Sequence, residues 1–337
     1  MRVGQIRILA VATTLVWAGA AGAHAGKLPA LGADPARVSL SGLSSGGFVA
    51  QQYAVAYSAS VVGVGVVAAG PYNCAYVTIG GVAACMQGAP LGVASVQAAL
   101  DFAALGQIDS VDGLAKQRVY LFSGEDDPLV RTGVVDTVRD FFTGIGTPAA
   151  NIQFRRDIPA GHALVSAAFG ADCSTTASPF VVQCTVGGEP YDQPGAVLSW
   201  IYGPLQPRAT HPSAKPTPFS QSSFASARAA MAKTGYVYIP AACRAAGAKC
   251  AIHVVLHGCA QSASMVADAV YEKVGFNALA DANGIIVLYP QVDPGLLNPQ
   301  GCWDWWGYTG ADFQVRTGAQ LKAIHAMIAQ LEKTPGP

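Results

Sequence analysis

Residues 37–53 read RVSLSGLSSGGFVAQQY, and this stretch decides the fold. Apolar residues predict a short strand, the strand ends in the sharp turn G-L-S-S-G at 42–46, and a helix-compatible segment follows. In this context a G-x-S-x-G pattern presents its serine on a strained turn, where only flanking glycines leave room for it. A Gly/Ser-rich turn is the alternative, because the chain contains 38 glycines. We predict Ser44 as a nucleophile, followed by Ser45.

The composition narrows the class of partner. Among 337 residues only 12% are charged, the formal net charge is zero, and the mean hydropathy is +0.34. Without a basic surface the chain is not expected to bind nucleic acid. A weakly charged surface suits contact with an uncharged substrate.

The N-terminus has the pattern of an export signal. Arg2 and Arg7 precede an apolar run at 8–18, and Ala-His-Ala at 23–25 provides a small-x-small cleavage site. We predict a signal peptide over residues 1–25 and a secreted protein, either extracellular or periplasmic. The apolar run is too short to cross a bilayer comfortably, so we expect no stable membrane insertion.

Eight cysteines in an exported protein predict disulfides. They stand at positions 74, 85, 173, 184, 243, 250, 259 and 302. Sequence alone leaves about 105 connectivities open. Close spacing suggests the pairs 74/85, 173/184 and 243/250, which would leave Cys259 for Cys302. Because the cysteines show no C-x-x-C spacing and no mixed Cys/His clusters, we expect no bound metal.

Alternating predicted strands and helices indicate an α/β fold. Fully apolar runs at 61–69 and 285–289 are typical of strands buried on both faces of a parallel sheet. We therefore expect a mostly parallel central sheet with helices on both faces. Long helices are predicted over 265–282 and 311–333, and a loop over 71–90.

The mature chain, 26–337, is predicted to form a single catalytic domain. Its first part covers residues 26–203, and a connection with five prolines follows at 204–221. The remaining part, 222–337, contains further strands and does not resemble an independent module.

A serine nucleophile needs a histidine base, and the chain offers six histidines. Five stand at less suitable places: His24 in the leader, His211 in the proline-rich connection, His253 in a strand, His325 in the last helix and His257 directly before a glycine. His162 remains, on a glycine-containing loop that follows a predicted strand. A solvated loop histidine is the alternative for this residue.

The base in turn needs a carboxylate to orient it. Residues 124–130 read GEDDPLV directly after a predicted strand, where catalytic groups of open α/β sheets gather. The G-x-x-D-x-x-V spacing selects Asp127, with Asp126 as the next candidate and Glu125 as a solvated turn residue. The chain order serine, aspartate, histidine matches the α/β-hydrolases.

One further part of such a site stands in an unusual place in the sequence. In α/β-hydrolases two backbone N–H groups bind the oxyanion: one belongs to the residue after the nucleophile, and the second comes from a loop after a strand that precedes the nucleophile. Here the matching strand and its His-Gly loop, residues 251–261, lie far towards the C-terminus. A circular permutation explains this order, since neighbouring termini make it geometrically simple.

Several motifs together identify a family. They are GLSSGGF at 42–48, GEDDPLV at 124–130, GHA at 161–163, GYVYIP at 235–240, LHGCAQ at 256–261, VLYPQ at 287–291 and NPQGCWDWWG at 298–307. This set resembles the poly(3-hydroxybutyrate) depolymerases of the circularly permuted single-domain type. The wider family includes feruloyl and acetylxylan esterases in unpermuted order.

The resemblance implies a serine esterase. Its triad would be Ser44, Asp127 and His162, and the backbone N–H groups of Ser45 and Cys259 would form the oxyanion hole. No metal or organic cofactor is implied. We expect a monomer that acts on a polyester or oligoester.

The resemblance also implies a substrate contact from the aromatic loop. Trp303 is the expected contact, with Asn298 as a hydrogen-bonding partner. The alternative for the tryptophans of this loop is core packing.

Three functions compete. The first is a secreted depolymerase of polyhydroxyalkanoates, favoured by the low charge and the permuted order. The second is a feruloyl or acetylxylan esterase acting on plant cell walls. The third, a non-catalytic surface-binding protein, is disfavoured because all three triad positions are intact.

Overall fold

The computed structural model describes residues 25–336. All of the predicted signal peptide except Ala25 therefore lies outside the described residues. The described chain contains thirteen β-strands. They are β1 (Val38–Leu43), β2 (Val61–Val67), β3 (Arg118–Gly124), β4 (Ile152–Ile158), β5 (Leu164–Val165), β6 (Ala171–Asp172), β7 (Val181–Gln183), β8 (Thr185–Val186), β9 (Glu189–Pro190), β10 (Thr217–Ser220), β11 (Thr234–Tyr238), β12 (Ala251–Leu256) and β13 (Ile285–Tyr289).

The same residues form nine α-helices. They are α1 (Ser45–Ala56), α2 (Cys74–Val77), α3 (Gly81–Gln87), α4 (Gly92–Ala104), α5 (Thr132–Gly144), α6 (Gln193–Tyr202), α7 (Ala263–Val266), α8 (Phe276–Asn283) and α9 (Ala319–Glu332). Within residues 25–336 every helix falls short of the length and apolarity that a bilayer crossing needs.

Eight strands form one central sheet in the order β10-β11-β13-β12-β1-β2-β3-β4. All neighbouring pairs are parallel except the two that involve β11. Helices α6 and α8 cover one face, and α1, α4, α5 and α9 cover the other. The predicted α/β fold with a mostly parallel sheet is therefore confirmed. Parallel strands place their carboxyl ends along one edge, where the loops with the candidate residues meet.

The strand order supports the interpretation of circular permutation. Counted from β10, the spatial order becomes 1-2-4-3-5-6-7-8, so that β12 is the third strand and β1 the fifth. The loop after β12 then corresponds to the loop that normally supplies an oxyanion donor. The two ends of the described chain also meet, since the Gly32 amide donates to the Lys333 carbonyl at 2.8 Å.

Four predicted segments differ from the structure. The end of the connection 204–221 forms the edge strand β10, where Pro218 is tolerated because an edge strand needs fewer donors. The predicted loop 71–90 contains the short helices α2 and α3. The single helix predicted over 265–282 is wrong: it divides into α7, a π-helical turn and α8, with Gly275 at φ 118° before α8.

The last helix begins later than its apolar pattern suggests. It starts at Ala319, and the preceding residues from 311 form turns instead of the predicted helix. A Cβ on Gly318 would approach the Phe313 carbonyl oxygen at 2.6 Å, so only a glycine lets the chain pass this close to the turn at 312–313 before the helix begins. The stripe Leu321, Ile324, Ile328 and Leu331 is buried as the pattern predicts.

All eight cysteines pair, as the spacing suggested. The disulfides join the positions 74/85, 173/184, 243/250 and 259/302. Three of them close loops of 7 to 11 residues, and the last spans a sequence separation of 43. The last disulfide therefore connects the aromatic loop to the loop that follows β12.

Candidate active site

The candidate nucleophile lies on a sharp turn between β1 and α1. Ser44 has φ 55° and ψ −122°, a conformation that residues with a side chain rarely adopt. A Cβ on either Gly42 or Gly46 would overlap backbone atoms of the turn or of Leu256, so both glycines are required. The serine is 8% exposed. The G-x-S-x-G pattern thus forms the strained elbow that its context predicts.

The candidate acid is fixed by the backbone of the loop after β3. Oδ1 of Asp127 accepts hydrogen bonds from the amides of Leu129 at 2.8 Å and Val130 at 2.9 Å. Its side chain is 1% exposed, whereas the neighbouring Glu125 and Asp126 are exposed. One carboxylate oxygen is therefore fixed by two amides, and Oδ2 remains for another donor.

The candidate base meets this free oxygen. Nδ1 of His162 lies 2.8 Å from Oδ2 of Asp127, and its side chain is 6% exposed. Because the carboxylate accepts, Nδ1 carries the proton and Nε2 is left as the basic nitrogen. The backbone amide of His162 donates to Thr176 Oγ1 at 2.8 Å, which fixes the loop. The arrangement is that of a base oriented by an acid.

Ser44 and His162 line the same cavity, which has a volume of about 220 Å³. The other walls are mainly apolar or backbone: Leu43, Met86, Leu129, Phe180, Gly258, Cys259 and Ala260, together with Gln300. No Asp, Glu, Lys or Arg is among them. Such a cavity fits a small uncharged group next to the serine.

Two backbone amides are placed as candidate oxyanion donors. Ser45 is the first residue of α1, and the first amides of a helix have no acceptor within it. Cys259 lines the cavity, and within residues 25–336 its amide has no protein acceptor. The adjacent amides are engaged, since Gly258 donates to Gln261 Oε1 at 2.7 Å and Ala260 donates to the Gln300 carbonyl at 2.6 Å.

Proteins similar in sequence to this chain indicate its family. The poly(3-hydroxybutyrate) depolymerase of Delftia acidovorans is 40% identical over 339 residues, which cover 98% of this chain and 67% of the relative. The chain belongs to the poly(3-hydroxybutyrate) depolymerase family. The polyhydroxybutyrate depolymerase of Talaromyces funiculosus is 36% identical, covering 94% of this chain and 96% of the relative. A family model described as "Esterase PHB depolymerase" matches residues 234–334.

Solved structures of the depolymerase family have the same fold. The PHB depolymerase from Penicillium funiculosum superposes with a TM-score of 0.84 at 35% identity, covering 91% of this chain and 98% of that one. A serine-to-alanine PHB depolymerase complexed with an R3HB trimer gives the same values. The predicted α/β-hydrolase fold and family are confirmed.

His257, the histidine of the His-Gly loop, is buried and holds this loop through two hydrogen bonds. Burial lowers the pKa of His257 to about 4, so the ring is neutral. Nε2 accepts from the Val292 amide at 3.1 Å, and Nδ1 therefore donates to the Gly258 carbonyl at 2.7 Å. These two bonds fix the backbone directly before Cys259.

A serine–histidine cluster separate from the candidate active site lies within the sheet. Nδ1 of His253 is 2.7 Å from Ser39 Oγ, and Nε2 is 2.8 Å from Ser41 Oγ. Burial lowers the pKa of this histidine to about 3. Both ring nitrogens face hydroxyl groups inside the sheet, away from the cavity at Ser44. This cluster joins β1 to β12 through two buried hydrogen bonds, which is a structural role in the core.

The structure does not bring the two implied substrate contacts to the cavity. Trp303 is 0% exposed and packs against His257, with 5.5 Å between ring centroids. The Asn298 side chain donates to the Cys302 carbonyl at 2.8 Å and accepts from the Cys302 amide at 2.9 Å. Both side chains hold the aromatic loop in place, so their contact with substrate stays a prediction without support from this geometry.

Three cavity walls were not singled out from the sequence. Met86 follows the disulfide residue Cys85, Leu129 stands two residues after the candidate acid, and Phe180 comes from a loop distant in sequence. Leu129 had a local signal, because it belongs to the same GEDDPLV segment as Asp127. The other two meet the cavity only through tertiary folding.

Within residues 25–336 no cluster of three or more potential metal ligands occurs.

Proposed function

We propose that this chain is a secreted serine esterase that hydrolyses poly(3-hydroxybutyrate) or related polyhydroxyalkanoates to short hydroxyacid oligomers. The observation that carries the proposal is the 2.8 Å bond between His162 and Asp127 beside the cavity shared with Ser44. Membership of the depolymerase family supplies the substrate class. Relatives named for the same polymer support it along almost the whole chain.

The mechanism begins with the serine. As Ser44 Oγ attacks the ester carbonyl carbon, its proton passes to Nε2 of His162, and Asp127 stabilises the imidazolium through Nδ1–H. The carbonyl oxygen becomes an oxyanion and accepts hydrogen bonds from the amides of Ser45 and Cys259. Removing one such donor in a comparable hydrolase costs about 3–4 kcal/mol.

The ester is then cleaved in two stages. The bond between the carbonyl carbon and the alcohol oxygen breaks, and the proton on His162 passes to the departing alcohol. Water attacks the acyl-serine carbonyl, giving a proton to His162, and that proton returns to Ser44 Oγ as the hydroxyacid leaves. No step requires a group from outside the polypeptide, the ester and water.

The cavity supports a substrate of repeated small apolar units. About 220 Å³ accommodates one short acyl group, and its apolar walls suit a methyl branch better than a sugar. A feruloyl or acetylxylan substrate would instead need polar side chains around the serine. The only side-chain amide among the lining residues is Gln300.

The organisation of the protein is part of the proposal. We assign residues 1–25 as a signal peptide and residues 26–337 as one catalytic domain that functions as a monomer. Four disulfides support an extracellular or periplasmic location, because cystines persist in oxidising compartments. The close contact of the two chain ends supports one domain.

Turbidity clearing of a poly(3-hydroxybutyrate) suspension tests the function. We expect the wild type to clear the suspension and release hydroxybutyrate oligomers, and Ser44→Ala to abolish both. Ser60→Ala, before the amino end of β2 and so at the opposite edge of the sheet, is the matched control and should retain full activity. The proposal fails if the wild type releases no hydroxybutyrate yet cleaves methyl ferulate. Unchanged activity in Ser44→Ala would contradict the serine mechanism.

A further inference from the structure

Gln261 joins two loops that border the candidate active site. It lies in the LHGCAQ segment, and its side chain is buried, with the residue 1% exposed. Oε1 accepts from the Gly258 amide at 2.7 Å, and Nε2 donates to the carbonyls of Pro179 at 3.0 Å and Phe180 at 2.9 Å. A glutamine can donate twice while it accepts, so this one side chain bonds one buried amide and two partly buried carbonyls.

One end of the glutamine fixes the oxyanion loop. Gly258 directly precedes Cys259, whose amide is the proposed donor from this loop. His257 holds the Gly258 carbonyl, and Gln261 holds the Gly258 amide, so the peptide groups on both sides of Gly258 are fixed. The direction of the Cys259 amide depends on these peptide planes.

The other end of the glutamine fixes a wall of the cavity. Phe180 lines the cavity and has a φ of 55°, a conformation that side-chain-bearing residues adopt only when neighbouring contacts hold it. Its carbonyl accepts from Gln261. The loop that carries this wall lies about 80 residues before the glutamine, since the bond spans 81 positions.

We propose that Gln261 is a positioning residue for ester hydrolysis. Its side chain sets the direction of the Cys259 amide and connects the loop of that amide to the loop that carries Phe180. The inference rests on the proposed function of the site. The side chain does not line the cavity itself, so it acts through the backbone and touches no substrate.

The expected effect follows from the two bonded loops. Gln261→Met keeps the volume but leaves the buried Gly258 amide and the partly buried Pro179 carbonyl without this partner, while the Phe180 carbonyl keeps only the bond from the Leu164 amide. A shift of the donor by about 1 Å is enough for a 10- to 100-fold loss in kcat, since oxyanion stabilisation depends on position. KM should change by less than about twofold, because the donor acts mainly in the transition state.

The test compares Gln261→Met with Gln117→Met, using p-nitrophenyl butyrate as a soluble ester. Gln117 is equally buried and donates to the Ala54 carbonyl at 2.8 Å, but it precedes β3 and so lies at the opposite edge of the sheet. Both variants should lose thermal stability. Only Gln261→Met should lose kcat, and its Ki for butylboronic acid, which forms a tetrahedral adduct on the serine, should rise by about the same factor as kcat falls.

Gln261→Asn provides a second variant if the methionine variant does not fold. It keeps a polar side chain but is one methylene shorter, so it cannot reach both loops at once, and kcat should fall by an intermediate factor. The inference is overturned if the folded Gln261 variants retain kcat and Ki within twofold of Gln117→Met. Cleavage of p-nitrophenyl butyrate without clearing of the polymer would contradict only the proposed substrate. Failure of the wild type to cleave either ester would overturn both proposals.

Discussion

Replacing Asp127 by asparagine tests the orientation of the proposed base. The two amides at Oδ1, from Leu129 and Val130, decide how the new side chain turns. They require an acceptor, so the asparagine oxygen faces them and its NH₂ group faces His162. Nδ1 must then accept a hydrogen bond, and the proton moves to Nε2. A histidine in this tautomer cannot take the proton of Ser44.

The size of the effect follows from the loss of the correct tautomer. In a comparable serine hydrolase the same exchange lowers kcat by about 10⁴ while the geometry stays intact, which corresponds to about 5.5 kcal/mol. We expect a similar loss here, because the two amide bonds are kept. The assay is kcat on p-nitrophenyl butyrate, with circular dichroism to confirm folding. Asp126→Asn, at an exposed neighbouring site, should retain activity. A folded Asp127→Asn enzyme with less than a tenfold loss would refute the reasoning.

Three further predictions concern stability and the surface. Burial holds the pKa of His253 near 3 and that of His257 near 4, so below about pH 6.5 the unfolded state binds more protons than the folded state. Urea unfolding should therefore show the free energy of unfolding falling by about 1.4 kcal/mol per pH unit for each ring as the pH is lowered to 4. His253→Asn should reduce that slope, and an unchanged slope would contradict the assignment. Replacing the 259–302 disulfide by two serines should lower the free energy of unfolding by about 4 kcal/mol, since it closes a separation of 43 residues, and a loss under 1 kcal/mol would contradict this. Ile79 is 100% exposed on the segment between α2 and α3, and α3 carries Met86 of the cavity. Ile79→Ser should therefore weaken adsorption to polymer granules several-fold without changing kcat/KM on a soluble ester. Leu105→Ser, after α4, is the control for granule binding, and equal losses in the two variants would argue against a specific surface.

The strained elbow and the position of the candidate acid could be predicted because their signals are local. Gly42 and Gly46 are required by the same turn that places Ser44, and the acid follows a strand by a fixed spacing. The candidate base, His162, could be selected by elimination, since the chain contains only six histidines. Short sequence separations likewise indicated three of the four disulfides.

The remaining features depend on contacts between distant segments. The apolar pattern over 265–282 fits one helix, but the left-handed conformation at Gly275 divides it. Trp303 and Asn298 occur in the expected motif, yet the fold buries them against the loop they stabilise. The bonds of Gln261 need a partner about 80 positions away, which no local pattern reveals.

The most direct test of the central claim is a crystal structure of the enzyme inactivated by a p-nitrophenyl alkylphosphonate. The account predicts a covalent bond from Ser44 Oγ to phosphorus, with the phosphoryl oxygen about 3 Å from the amides of both Ser45 and Cys259. Nε2 of His162 should lie within hydrogen-bond distance of the oxygen that links Ser44 to phosphorus. A phosphoryl oxygen that points to solvent, or a label on a different side chain, would contradict the account.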